Sequence, residues 1–221
     1  RTTLEIYAEK LIAEKVVTQG EVDKMKADWV SRLEAEFEAG HAYKPNKADW
    51  LEGAWEGLKA GTDAHDDPLH GKTGVAIDTL RSIGRKIATI PEGFNAHRTI
   101  QRFMDGRLKM VESGEGLDWA MAEALAYGTL VDEGYPVRLS GQDCERGTFS
   151  QRHSVIIDQV NENRHTPLNN LRAGQKRYEV INSMLSEEAV LGFEYGYSLV
   201  EPNTLTLWEG QFGDFANGAQ V

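Results

Sequence analysis

Apolar residues recur at helical spacing from the start of the chain. Leu4, Tyr7, Leu11 and Ile12 share one face of a first short helix, which Thr2 or Thr3 caps. Thr18 and Glu21 form a capping box for a second helix, in which Val22, Met25, Trp29, Leu33 and Phe37 keep the same period until Gly40. Lys24, Lys26, Arg32, Glu34, Glu36 and Glu38 take the opposite side, which reads as a solvated face. From His41 to Gly74 the period fails while Gly, Pro, Asp and Lys become frequent, so this stretch reads as a linker or an extended crossover. Trp50 and Trp55 within it are expected to staple it onto a neighbouring surface.

The helical period then returns. Leu80, Ile83, Ile87 and Ile90 predict a helix broken by Pro91, and Ile100, Phe103, Met104, Leu108 and Val111 predict another that ends at Gly114. Asp118 caps a third, with Trp119, Ala122, Leu125, Ala126 and Leu130 along its buried side until Gly134. Pro136 to Leu139 reads as a strand that opens into a polar, glycine-punctuated loop, Ser140 to Gln151, and Asn161 to Arg177 as a second irregular polar segment.

The last part of the chain spells a β-α-β unit. Tyr178 to Ile181 is a strand, Ser186 caps a helix from Glu187 to about Val200, Pro202 stops it, and Thr204 to Trp208 is the next strand. Such units favour parallel pairing, and ligands of open α/β sheets gather at the carboxyl ends of the strands, where Glu187 falls. Glu187 and Glu188 also suit a helix dipole as ordinary first-turn acids. Gly192 and Gly196 each cost about 1 kcal/mol relative to Ala in a helix interior and share one face, which implies the close approach of another backbone. The fold class is α/β, a mostly parallel sheet flanked by helices.

Composition narrows the partners more than the fold. A net charge of −11 over 221 residues argues against nucleic acid, which needs a basic face. The single Cys144 excludes an intrachain disulfide and a cysteine-rich metal site, and it reads as a small loop residue. No apolar run reaches the roughly 18 residues of a membrane span. The absent initiator Met and the helix that begins at Asp214 without room to finish lead us to expect a piece of a longer polypeptide.

The familiar phosphate-loop, dinucleotide and zinc-protease motifs are missing, and no histidines pair four apart, so no metal site is expected within the chain. Ser140, Asp143 and His153 carry the letters of a triad without a nucleophile elbow. There remain a carboxylate at a strand-to-helix junction, aromatic residues after the next strand, and loops bearing amides. That set suits a flat heteroaromatic ligand with a basic ring nitrogen.

The segments Ser186 to Tyr197 (S-E-E-A-V-L-G-F-E-Y-G-Y) and Leu207 to Gln220 (L-W-E-G-Q-F-G-D-F-A-N-G-A-Q) resemble the pyrimidine-binding domain of thiamine-diphosphate enzymes. With Leu139 to Ser154 and Arg1 to Ala13, the likeness is closest to the decarboxylating first components of 2-oxoglutarate dehydrogenase complexes, and it covers nearly the whole chain. The resemblance implies thiamine diphosphate as cofactor, with Mg²⁺ whose ligands lie outside this chain, in the oxidative decarboxylation of 2-oxoglutarate within the tricarboxylic acid cycle. Residues 1–40 would be the helical tail of a preceding diphosphate-binding domain, 41–95 a linker, and 96–221 the N-terminal part of the pyrimidine-binding domain.

Carried over by position, Glu187 would hydrogen-bond the pyrimidine nitrogen and activate the cofactor, and burial should raise its pKa. Leu185 would prop the bent cofactor, and Phe212 or Phe215 would stack on its ring. Gln142 and Gln211 resemble amides that face the reacting centre, while Arg146, Arg152 and His153 are the cations available to attract a dicarboxylate. The implied partners are a lipoyl-bearing succinyltransferase and a second copy in a homodimer, in bacterial cytoplasm or, for a eukaryote, the mitochondrial matrix; the chain alone should be inactive. Two alternatives stay open, a related enzyme of another 2-oxo acid and a non-catalytic interaction fragment.

Overall fold

The computed structural model describes residues 1–44, 53–58 and 72–220. The chain divides into two units, Arg1–Glu52 and Gly53–Val221. Trp50 and much of the linker lie outside the described residues.

The first unit holds α1 (Thr3–Ala13) and α2 (Gln19–Ala42). Both start at capping boxes, Thr2 with Glu5 and Thr18 with Glu21, which satisfy two of the first-turn amides in each case. Gly40 does not stop α2, which runs two residues further. Its apolar stripe is not a buried face within the unit: Val22 is buried, but Met25, Trp29, Leu33 and Phe37 are all more than half exposed.

The second unit is built round one strand. After α3 (Ile77–Ala88), α4 (Arg98–Ser113) and α5 (Trp119–Glu133) come β1 (Val137–Gly141), a small antiparallel pair β2 (Ile156–Ile157) and β3 (Arg164–His165), then β4 (Tyr178–Asn182), α6 (Glu187–Val200) and β5 (Leu205–Glu209). The sheet order is β4-β1-β5, all parallel, so α6 crosses over β1 to join the two outer strands. Asp118 caps α5 by accepting from Met121 N–H at 2.7 Å, and Gly114 and Gly134 end α4 and α5 in the left-handed region as glycine best can.

Alternation along β1 gives the sheet two unlike faces. Val137 and Leu139 point into an apolar core with Ile83, Ile87, Met121, Leu125, Val131 and Tyr178. Residues 41–95 read as linker, yet α3 within that range supplies Ile83 and Ile87 to this core. Gly128 lets α3 come close, since a Cβ there would sit 2.5 Å from Ile83 Cγ2. On the other face Arg138 is held by Glu194 of α6 through Nε at 2.7 Å and Nη2 at 3.0 Å, and by Glu179 of β4 at 2.9 Å. Tyr197 lies 4.6 Å from the same guanidinium. A buried charge cluster thus fastens α6, of which Val190 and Glu194 are buried while Phe193, Tyr195, Leu199 and Val200 are exposed. Trp55 staples its segment to the end of α6, its indole N–H donating to the Leu199 carbonyl at 2.6 Å.

Candidate functional site at the carboxyl ends of the strands

The parallel register sets Gly141 opposite both Asn182 and Glu209, so all three strands end at one level. The residues that follow each strand therefore share one edge of the sheet: Gln142 after β1, Leu185 and Glu187 after β4, Gln211, Phe212 and Phe215 after β5. β1 and β5 come close here, and a Cβ on Gly141 would lie 2.6 Å from the Glu209 carbonyl oxygen.

Gln211 joins two of the loops. Its amide nitrogen donates to Thr148 Oγ1 at 2.8 Å and to the Gln142 carbonyl at 3.1 Å, while its backbone N–H is held by the buried Asp214 carboxylate at 2.7 Å. Its two amide hydrogens are thereby engaged. The Gln142 side chain is exposed, and its backbone rather than its amide ties the loops.

Between these loops lies a cavity of about 230 Å³, walled by Phe149, Phe212 and Phe215 and floored by Gly210, with Thr148, Gln151, Glu209 and Gln211 as its polar members. Phe149 and Phe212 meet edge to face, with centroids 6.2 Å apart. The two candidate stacking residues are thus in one wall, and both are largely exposed. Leu185 is half exposed just before α6.

Glu187 does not line this cavity. It packs against the segment that follows Phe215, where Asn217 Nδ2 donates to its carboxylate at 2.9 Å and a Cβ on Gly218 would lie 3.2 Å from its own Cβ. The expected upward pKa shift is not found. Hydrogen bonding to its own backbone N–H, then to Asn217, holds the Glu187 carboxyl below the usual value, because donors at the open helix start outweigh the little desolvation there. Ser186 occupies the cap position without a side-chain capping bond.

Arg152, a candidate for attracting a dicarboxylate, is already committed. It is buried, forks onto Glu123 at 2.6 and 3.1 Å, pairs with Glu209, and donates to the Cys144 carbonyl at 2.8 Å. Arg146 pairs with Asp143 at 3.1 Å, and the His153 imidazole is held below its normal pKa by burial, packed edge-on against Phe103. Cys144 is fully buried and its thiol is pushed up to about 11 by desolvation, as befits a packing residue. Among the described residues no cluster of three His, Cys, Asp or Glu side chains could hold a metal ion. Sequence reasoning missed Thr148, Phe149, Gln151 and Glu209. The one signal for Thr148, Phe149 and Gln151 was a polar loop at a strand end, and Glu209 closes β5 itself.

The three parallel strand ends thus carry an acid, aromatic residues and amides along one edge. Residues 115–221 match the family model described as transketolase, pyrimidine binding domain. Over all 221 residues the chain is 65% identical to the 2-oxoglutarate dehydrogenase E1 component of Brucella canis and to that of Brucella suis, and 64% identical to that of Brucella melitensis. It spans 22% of the length of each of these relatives.

Proposed function

We propose that this chain is part of a thiamine-diphosphate-dependent 2-oxoglutarate dehydrogenase component, and that its strand ends hold the cofactor's pyrimidine. The observation that carries the reading is the common level of Gly141, Asn182 and Glu209, which gathers Gln142, Leu185, Glu187, Gln211, Phe212 and Phe215 at one edge. The donor set fits the group: a carboxyl for a ring nitrogen, an apolar prop, two aromatic faces and amides for polar edges. Thiamine diphosphate, when bound, supplies the nucleophilic carbon and electron sink of 2-oxo acid decarboxylation.

This chain's own residues bind and orient. Phe212 or Phe215 packs on the ring, and Leu185 sets its angle. Glu187 is placed to share a proton with the ring nitrogen. Covering it with a flat ligand and a second subunit removes water, which moves its pKa back upward toward a carboxyl that keeps its proton. Gln142 and the Gln211 carbonyl face the reacting centre as polar contacts. Mg²⁺ and the diphosphate are held by segments outside this chain, and the acyl group passes to a lipoyl-bearing succinyltransferase. The open Gly192/Gly196 face of α6, where an added Cβ meets nothing within 4 Å, supports a homodimer. Bacterial cytoplasm is the compartment that suits this assignment.

Turnover of the full-length protein on 2-oxoglutarate, pyruvate and 2-oxoadipate tests the substrate, with 2-oxoglutarate preferred. Glu187→Ala should abolish cofactor activation while the protein stays folded. Undiminished turnover in that variant would overturn the role of Glu187.

A further inference from the structure

Of the three arginines buried among the described residues, Arg138 and Arg152 fork onto carboxylates, whereas Arg107 of α4 spends its donors on backbone. Its Nη2 donates to two successive carbonyls, those of Gln151 at 3.0 Å and Arg152 at 2.6 Å. Its Nε is buried with no partner among the described residues, and its guanidinium lies 5.6 Å from the centre of the Phe103 ring. The carboxylates that favour its charge, Asp118 and Glu123, are committed elsewhere, to the start of α5 and to Arg152. A buried cation without its own counter-ion is a poor device for stability alone. Its use lies in what the two carbonyls belong to.

They end a strained loop. Asp143, Ser150 and His153 adopt φ of +54°, +53° and +45°, in the left-handed region that residues other than glycine seldom enter. Such strain persists where surrounding contacts over-determine it, and it gathers at functional sites. Inside the loop, Ser150 N–H donates to the Gly147 carbonyl at 2.9 Å, and the N–H groups of Arg152 and His153 donate to the Arg146 carbonyl at 2.9 and 3.1 Å. Gln151 Oε1 accepts from the Phe149 N–H at 2.9 Å. The segment is thereby tied to itself, and Arg107 pins it from a separate helix. Thr148, in the same segment, is the residue whose hydroxyl accepts from Gln211 Nε2 at 2.8 Å.

We infer that Arg107 is a positioning residue for the decarboxylation centre: from α4 it fixes the loop after β1, so that Thr148 holds the Gln211 amide in place. The inference rests on the function proposed above and adds to it a residue that does not line the site. A lysine has donors for both carbonyls but a shorter reach and no planar face for Phe103, so Arg107→Lys keeps part of the effect.

The full-length protein tests this with Arg107→Met, Arg107→Lys, Thr148→Val and the double variant Arg107→Met/Thr148→Val. With ferricyanide as electron acceptor, kcat on 2-oxoglutarate should fall about tenfold to hundredfold in Arg107→Met and by less in Arg107→Lys. KM and the thiamine diphosphate dissociation constant should stay within about twofold of wild type. Without cofactor, hydrogen exchange at the Phe149 and Arg152 amides should quicken in Arg107→Met. Because the two residues act through one chain of contacts, the double variant should be no more than about twofold slower than Arg107→Met. Val131→Ala, which opens a cavity in the core, should lower the melting temperature and leave kcat unchanged. Multiplied losses in the double variant, unchanged loop exchange, or an equal kcat loss in Val131→Ala would overturn the inference and leave the proposed function standing. If Arg107→Met does not fold, Arg107→Lys and its pairing with Thr148→Val decide by the same criteria. A wild-type protein that binds no thiamine diphosphate overturns both.

Discussion

Gly192→Ala and Gly196→Ala turn the glycine face of α6 into a measurement. Within the chain, a methyl at either position meets no atom within 4 Å, so the only intrachain effect is helix propensity, a gain of about 1 kcal/mol per substitution. If the face packs on a second copy, as the proposed homodimer has it, the same methyl is forced into a close contact. Overpacking costs about 1–3 kcal/mol, and a two-fold interface repeats the clash in both copies. The two effects have opposite signs and different concentration dependence. Sedimentation equilibrium of the full-length protein should show dimer dissociation rising about tenfold or more for Gly196→Ala, a change of about 1.4 kcal/mol. Gly106→Ala on α4, where a Cβ also meets nothing within 4 Å, is the control and should leave self-association unchanged. Should Gly192→Ala and Gly196→Ala behave like that control, melting higher with an unaltered dimer, the glycine face is not an interface.

Other outcomes follow from the buried groups. Arg152→Met leaves Glu123 and Glu209 facing each other without their cation and should cost about 3 kcal/mol in denaturant unfolding; a loss below about 1 kcal/mol would mean the cluster is incidental. Gly141→Ala drives a methyl against the Glu209 carbonyl and should loosen the β1–β5 end, seen as faster amide exchange there without loss of the core. The Cys144 thiol, buried with a pKa of about 11, should resist iodoacetamide at pH 8 in the native protein and react on unfolding. His153 has a folded pKa below 6.5 because burial disfavours its cation, so its contribution to stability is present above about pH 6.5 and is lost as pH falls through the folded value. Melting temperature should therefore drop from pH 7 to pH 5, and less steeply in His153→Gln.

What the sequence discloses and what it conceals divide along the range of the interactions. The caps at Thr18, Asp118, Gly114 and Gly134 act within one turn, so α2, α4 and α5 are legible from neighbours in the chain. The strands β1, β4 and β5 show as β-rich runs between breakers, and their shared carboxyl edge follows once parallel pairing is assumed. The pair β2–β3 is only two residues long on each side and has no periodic signature. The wall of the cavity is harder still, since Thr148 meets Gln211 across 63 positions and Arg152 meets Glu209 across 57. The Arg152 cluster shows why this matters for function. Arginines near a strand end read as substrate-attracting cations, but burial beside two carboxylates, Glu123 and Glu209, turns Arg152 into a brace for the loop. That pairing reaches across 29 positions to Glu123 and 57 to Glu209, and no local pattern of residues encodes it.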